Sequence, residues 1–244
     1  MRECAPAEHG AVASSTLGLA GADVAVASVD AGADADSSMP SCASPAFCDD
    51  FERGDPTGAW NGLQTTGGTL AIDPTISSSG TRSLRAALEA SAAQRSVYLE
   101  RLVPVGTLVV KVSFSFRIES NPATTNALAG LQLGNPLSSV FVSVKGSSLG
   151  LLAQNYVTAE AHGYQLGGTK LGEWDHLTME LRRTTPSGTP TLRVTRGTST
   201  TLLVDEAVTV PLGDLGSYRI GIIYAAAGPA SGQAWFDDVR VDLD

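Results

Sequence analysis

Apolar and polar positions alternate most clearly between Leu108 and Ile118. There Leu108, Val110, Val112, Phe114, Phe116 and Ile118 interleave with Val109, Lys111, Ser113, Ser115 and Arg117. A period of two over that length predicts a strand with one buried face and one mostly polar face. Leu177–Arg182 and Tyr218–Tyr224 repeat the pattern. Weaker versions occur at Val97–Leu102, Leu128–Leu133, Val140–Val144, Leu149–Gln154, Leu192–Arg196 and Leu202–Asp205. Pro186-Ser187-Gly188, Lys145-Gly146-Ser147-Ser148, Gly167-Gly168 and Gly228-Pro229 supply turns between them. One stretch, Ser83–Ala90, also has helix propensity, with Leu84 and Leu88 four apart. Its position after Ser79-Gly80 favours a strand followed by an irregular connection. Short strands at regular spacing without intervening helices predict an all-β, two-sheet antiparallel β-sandwich of the jelly-roll kind.

Two acidic-aromatic segments bracket this region: Phe47-Cys48-Asp49-Asp50-Phe51-Glu52-Arg53-Gly54 and Trp235-Phe236-Asp237-Asp238-Val239-Arg240-Val241-Asp242. Both read as short strands. Their likeness suggests that the first and last strands lie side by side and bring carboxylates together.

Composition divides the 244 residues into a tail and a domain. Residues 1–40 combine an Ala/Gly/Ser/Val run with the acidic, low-complexity segment 29–38. Such a segment cannot bury enough apolar surface to offset its ordering entropy, so a flexible linker is expected there. Residues 41–244 form the expected sandwich domain. Arg2, the stretch from Ala11 to Ala20 and Ala20-Gly21-Ala22 resemble a degenerate export signal, though Glu3 and Glu8 depart from the usual charge pattern. Met1-Arg2-Glu3-Cys4 does not match a lipoprotein box. The net charge of −9 and the three lysines, Lys111, Lys145 and Lys170, argue against nucleic acid as a partner. No apolar run is long enough for a membrane-spanning helix. Cys42 and Cys48 stand just before the first strand; in a secreted protein that spacing reads as a small disulfide loop. Two free thiols or half of a metal site are the alternatives, and Cys4 has no obvious partner.

The order of several short motifs resembles the concanavalin A-like lectin/glucanase jelly roll, found also in laminin-G-like domains and many secreted bacterial proteins. These are Asp49-Asp50-Phe51-Glu52-Arg53-Gly54 with Trp60, Ser79-Gly80-Thr81-Arg82-Ser83-Leu84-Arg85-Ala86, Phe114-Ser115-Phe116-Arg117-Ile118, Gly172-Glu173-Trp174-Asp175-His176-Leu177 and Phe236-Asp237-Asp238-Val239-Arg240-Val241. Carbohydrate-binding modules on a similar jelly roll share the opening and closing motifs. The resemblance implies a structural calcium ion between the first strand, the Ser-Gly loop and the last strand. It would be held by Asp50 or Glu52, backbone oxygens near Gly80, and Asp237 or Asp238. Carboxylates and loop carbonyls are the hard oxygen ligands that calcium requires.

The familiar catalytic patterns of that fold are missing. Retaining glucanases place two glutamates on one strand, close enough to act as nucleophile and acid; Glu100, Glu119, Glu160, Glu173, Glu180 and Glu206 are isolated. Gly146-Ser147-Ser148-Leu149-Gly150 has the letters of a nucleophile elbow, but strand pattern follows it where a helix is needed. It reads as a hairpin turn. Asn155, Tyr156, His162 and Tyr164 lie close in sequence and are the candidate ligand-binding residues; a His/Tyr pair can also serve as base and acid in a polysaccharide lyase. Trp174 and Trp235 sit in strand patterns and read as packing residues. The leading expectation is a monomeric, exported, cell-surface or extracellular domain that recognises a glycan or polysaccharide without catalysis. A polysaccharide lyase or glycoside hydrolase, and a purely structural surface domain, are the alternatives.

Overall fold

The computed structural model describes residues 46–120, 126–197, 201–228 and 231–244. The expectations for residues 1–40, Cys4 and Cys42 lie outside them. The described residues form strands and no helix: β1 Phe47–Asp49, β2 Gly62–Thr66, β3 Gly68–Asp73, β4 Ser83–Leu88, β5 Arg95–Leu102, β6 Val109–Ser120, β7 Asn126–Leu133 and β8 Ser138–Lys145. They continue with β9 Ser148–Asn155, β10 Ala161–Gly168, β11 Trp174–Arg182, β12 Thr191–Arg196, β13 Thr201–Ala207, β14 Leu215–Ala225 and β15 Gly232–Leu243.

Two antiparallel sheets make the sandwich. The first runs β13-β12-β11-β6-β15-β4-β3, with β1 also paired to β15; the second runs β10-β9-β8-β7-β14-β5-β2. The first and last strands are therefore neighbours, with Phe47 opposite Val241 and Asp49 opposite Val239. Ser83–Leu88 is a strand between β3 and β15. Its buried positions Leu84, Ala86 and Leu88 alternate, so pairing overrides the local helix preference. The Gly146-Ser147 link is a two-residue hairpin between β8 and β9; Lys145 pairs with Ser148, and Gly146 has φ +59°.

The core lies between the sheets. Val110, Val112, Phe114, Phe116 and Ile118 of β6 meet it from one side, and Val140, Val142, Val144, Leu149, Leu151 and Ala153 of β8 and β9 from the other. The rings of Phe114 and Phe236 stand 6.5 Å apart within it. Trp60 and Trp235 are buried as well. Each indole donates a hydrogen bond to a carboxylate, Trp60 to Asp49 at 2.7 Å and Trp235 to Asp73 at 2.9 Å. Trp174 is half-buried at the start of β11.

Alternation then fixes what the outer face of the second sheet carries. With Val140, Val142 and Val144 turned inward, Ser139, Phe141 and Ser143 must turn outward. With Leu149, Leu151 and Ala153 turned inward, Gly150, Leu152 and Gln154 must do the same.

Candidate functional site

A groove of about 660 Å³ opens on this outer face, and strand register arranges its floor in rows. In the central row Arg219 lies opposite Gly130, Gly130 opposite Phe141, Phe141 opposite Leu152, and Leu152 opposite Gly163. Two half-buried apolar side chains thus sit between two glycines. A Cβ on Gly130 would come within 2.6 Å of Phe141 Cβ, so a larger residue there would displace the phenylalanine. The row crosses four inter-strand steps, about 19 Å. On one side Gln132, Ser139 and Gln154 form a parallel polar row. Tyr156 joins it through a 2.8 Å hydrogen bond between its hydroxyl and that of Ser139. On the other side stand Ser143 and Gln165. Ser143, Gln154 and Tyr224 make no side-chain hydrogen bond to another described residue.

Among the described residues the lining contains no histidine, carboxylate or lysine, and its one charged side chain is Arg219. The Arg219 guanidinium is already engaged. It meets Glu100 Oε1 at 2.8 Å, donates to Gln132 Oε1 at 3.2 Å and lies 4.9 Å from the centre of the Tyr98 ring. Burial raises the Glu100 carboxyl, but the Ser217 hydroxyl and Arg219 outweigh it and hold Glu100 below its ordinary range.

The four residues expected to share a ligand site divide between the groove, its edge and the core. Tyr156 borders the groove and is half exposed. Asn155 is fully buried; it donates to the Pro211 carbonyl at 2.7 Å and accepts from the Val157 and Thr158 amides. It shapes the turn after β9. Tyr164 borders the groove too, but its ring belongs to the buried core, and its hydroxyl has no hydrogen-bond partner among the described residues. Burial first, and Glu206 second, push its phenol above the ordinary value, which makes it a poor base at neutral pH. His162 lies at the sheet edge, 4.6 Å from Tyr164 ring to ring and 3.9 Å from Glu206 of β13. The residues that sequence reasoning missed are Phe141, Leu152, Gln132 and Gln154. Their signal was the unused phase of alternation in β7, β8 and β9.

The acidic residues expected to hold calcium gather around the loop 76–83. Asp237 is fully buried and accepts from the Ser78, Ser79 and Asp238 amides at 2.9, 3.2 and 2.9 Å. Burial, reinforced by Asp238, pushes its carboxyl up to about 7. Asp238, at φ +52°, accepts from the Ser79 and Ser115 hydroxyls. Glu52 accepts from the amide and hydroxyl of Thr81 and the amide of Arg82. Gly80, at φ +57°, lies so close that a Cβ there would sit 2.4 Å from Glu52 Oε1. Asp50 stands apart, accepting the Glu52 amide at 3.2 Å. The loop thus presents N–H and O–H donors to these carboxylates, whereas calcium needs six to eight oxygens. No group of three metal-ligating side chains occurs among the described residues. As arranged, the residues do not fit a calcium ion. Nearby, Ser115 Oγ lies 3.3 Å from His176 Nδ1 and donates to Asp238, so the acid contacts the serine and does not orient the histidine as in a hydrolytic triad. Cys48 is disulfide-bonded.

No protein-family model matches the chain, and no curated protein matches it either. Solved structures do. The cellulose induced protein Cip1 superposes with a TM-score of 0.59 at 14% identity, covering 80% of this chain and 96% of that one. The alginate lyase AlgAT5 of polysaccharide lyase family 7 gives 0.51 at 9% identity, covering 72% and 82%. The alginate lyase AlyC3 gives 0.50 at 11% identity, covering 66% and 75%. At such low identity these likenesses speak to architecture alone, and with the two antiparallel sheets they establish it: the domain is a jelly-roll β-sandwich.

Proposed function

We propose that the domain recognises a glycan on the outer face of its second sheet, without catalysis. The observation that carries this reading is the make-up of the groove: Phe141 and Leu152 as an apolar strip between Gly130 and Gly163, flanked by amides and hydroxyls. Sugar rings present apolar C–H faces and a rim of hydroxyls, which such a surface complements. The architectural neighbours named as alginate lyases and a cellulose induced protein are consistent with polysaccharide as the ligand class. A lyase or hydrolase would need a proton-transfer group near its working pH; among the described residues the lining offers neither histidine nor carboxylate, only the tyrosines Tyr156, Tyr164 and Tyr224. Export to an oxidising compartment belongs to the same proposal, supported by the disulfide at Cys48.

Affinity electrophoresis against a panel of soluble polysaccharides tests the reading. At least one polymer should retard the wild-type domain. The same polymer should release neither reducing ends nor unsaturated products. Absence of retardation by every polymer would remove the proposal; unsaturated products would replace it with the lyase.

A further inference from the structure

We propose that the groove selects uncharged polysaccharides, and that the Glu100–Arg219 pair sets this selectivity. The inference rests on the glycan reading above and narrows its ligand class. Arg219 is the one charged side chain among the described residues that line the groove. A uronate or sulfate group would need that guanidinium. Yet its Nε and Nη2 both meet Glu100 Oε1 at 2.8 Å, and its Nη1 donates to Gln132. Ser217 donates to the same Glu100 oxygen at 2.7 Å, and the Tyr98 ring backs the guanidinium. An incoming anion would therefore confront Glu100 as well as Arg219. To capture Arg219 fully it would have to break the pair and leave a half-buried carboxylate uncompensated. The net charge of −9 adds a longer-range repulsion of polyanions.

The remaining polar groups suit the opposite class. The side-chain amides of Gln132, Gln154 and Gln165 each both donate and accept, as sugar hydroxyls do. None attracts a carboxylate by charge. The central row, about 19 Å across, has the length for several rings of an extended chain.

Binding is measured with soluble β-glucan, galactomannan and xyloglucan on one side and alginate and polygalacturonate on the other, each at low ionic strength and in about 0.5 M NaCl, where surface charges are screened. Wild-type protein should bind a neutral polymer, with less than about twofold change between the salt conditions, and neither acidic one. Glu100→Gln uncovers the Arg219 charge. It should gain binding to an acidic polymer by about tenfold at low salt and lose that gain in high salt. A wild-type preference for alginate or polygalacturonate would overturn the inference while leaving glycan recognition standing. So would a folded Glu100→Gln protein that gains nothing. Should that variant fail to fold, the wild-type ratio of neutral to acidic binding decides alone. Binding to neither class would overturn the glycan reading itself, and the inference with it.

Discussion

The seam around Asp237 and the groove over Phe141 are both rich in polar side chains, but they dispose of them in opposite ways. At the seam every carboxylate oxygen of Glu52, Asp237 and Asp238 accepts a hydrogen bond from within the domain. In the groove Ser143, Gln154 and Tyr224 have no such side-chain partner among the described residues. Charge is concentrated where it is internally satisfied, and neutral hydrogen-bonding capacity is left where it faces outward. Polar groups satisfied internally stabilise the fold; polar groups left open on a shaped surface are available to a ligand.

The largest effect that would sharpen this contrast is at the seam. Asp237→Ala leaves the amides of Ser78, Ser79 and Asp238 without their acceptor. A cost of about 3 kcal/mol or more is expected, a fall in Tm on the order of 10 °C. A melt within a degree or two of wild type would mean that these amides do not depend on Asp237. Phe141→Ala should do the reverse. Glycan affinity should fall at least about tenfold, while Tm drops by only a few degrees because the ring is partly exposed. Equal loss of both would make Phe141 a core residue and not a platform.

A smaller effect follows from acidity. The Asp237 carboxyl is pushed up to about 7, so the folded domain keeps a proton that the unfolded chain releases near 3.8. Its stabilising contribution is full below about pH 4 and is lost as pH rises to about 7. Asp49, raised by burial, acts in the same direction; His176, lowered by burial, opposes it. The difference between wild type and Asp237→Asn isolates the one group. Wild type should lose more stability than the variant between about pH 5 and pH 7.5. Parallel curves would deny the shift. The smallest expected effect is that of calcium. Added calcium or chelator should move Tm by less than about 1 °C, since the seam oxygens already accept from N–H and O–H donors. Clear stabilisation by calcium would mean that the loop can exchange those donors for carbonyls.

Much of the sandwich was legible in the chain because one face of each long strand is buried. Leu108–Ile118, Leu177–Arg182 and Tyr218–Tyr224 fall inside β6 with one added residue, β11 and β14. The adjacency of the first and last strands followed from their matching motifs. Strands β2, β3 and β10 escaped notice. Gly62, Gly68, Gly163 and the exposed pattern of these edge strands dilute the alternation. The site was harder to read than the fold. Asn155 and Tyr164 have the chemistry of ligand residues but occupy the inward phase of β9 and β10. Phe141 and Leu152 look like core residues by type and occupy the outward phase. Residue type points one way and strand phase the other. Phase decides, because it is set by the many residues that share it.

The position of the last two strands bears on how the molecule is made. β14 lies between β7 and β5 in one sheet, and β15 between β6 and β4 in the other. Both sheets therefore lack a central member until residues 215–243 have been synthesised. Until then β4, β5, β6 and β7 each present an unsatisfied backbone edge. Such edges invite pairing with other chains. Folding must wait for residues 215–243 and then close both layers through contacts distant in sequence, which is slow. A nascent or truncated chain ending before Leu215 should be an obligate client of chaperones, and its aggregation should report the unpaired edges on both layers.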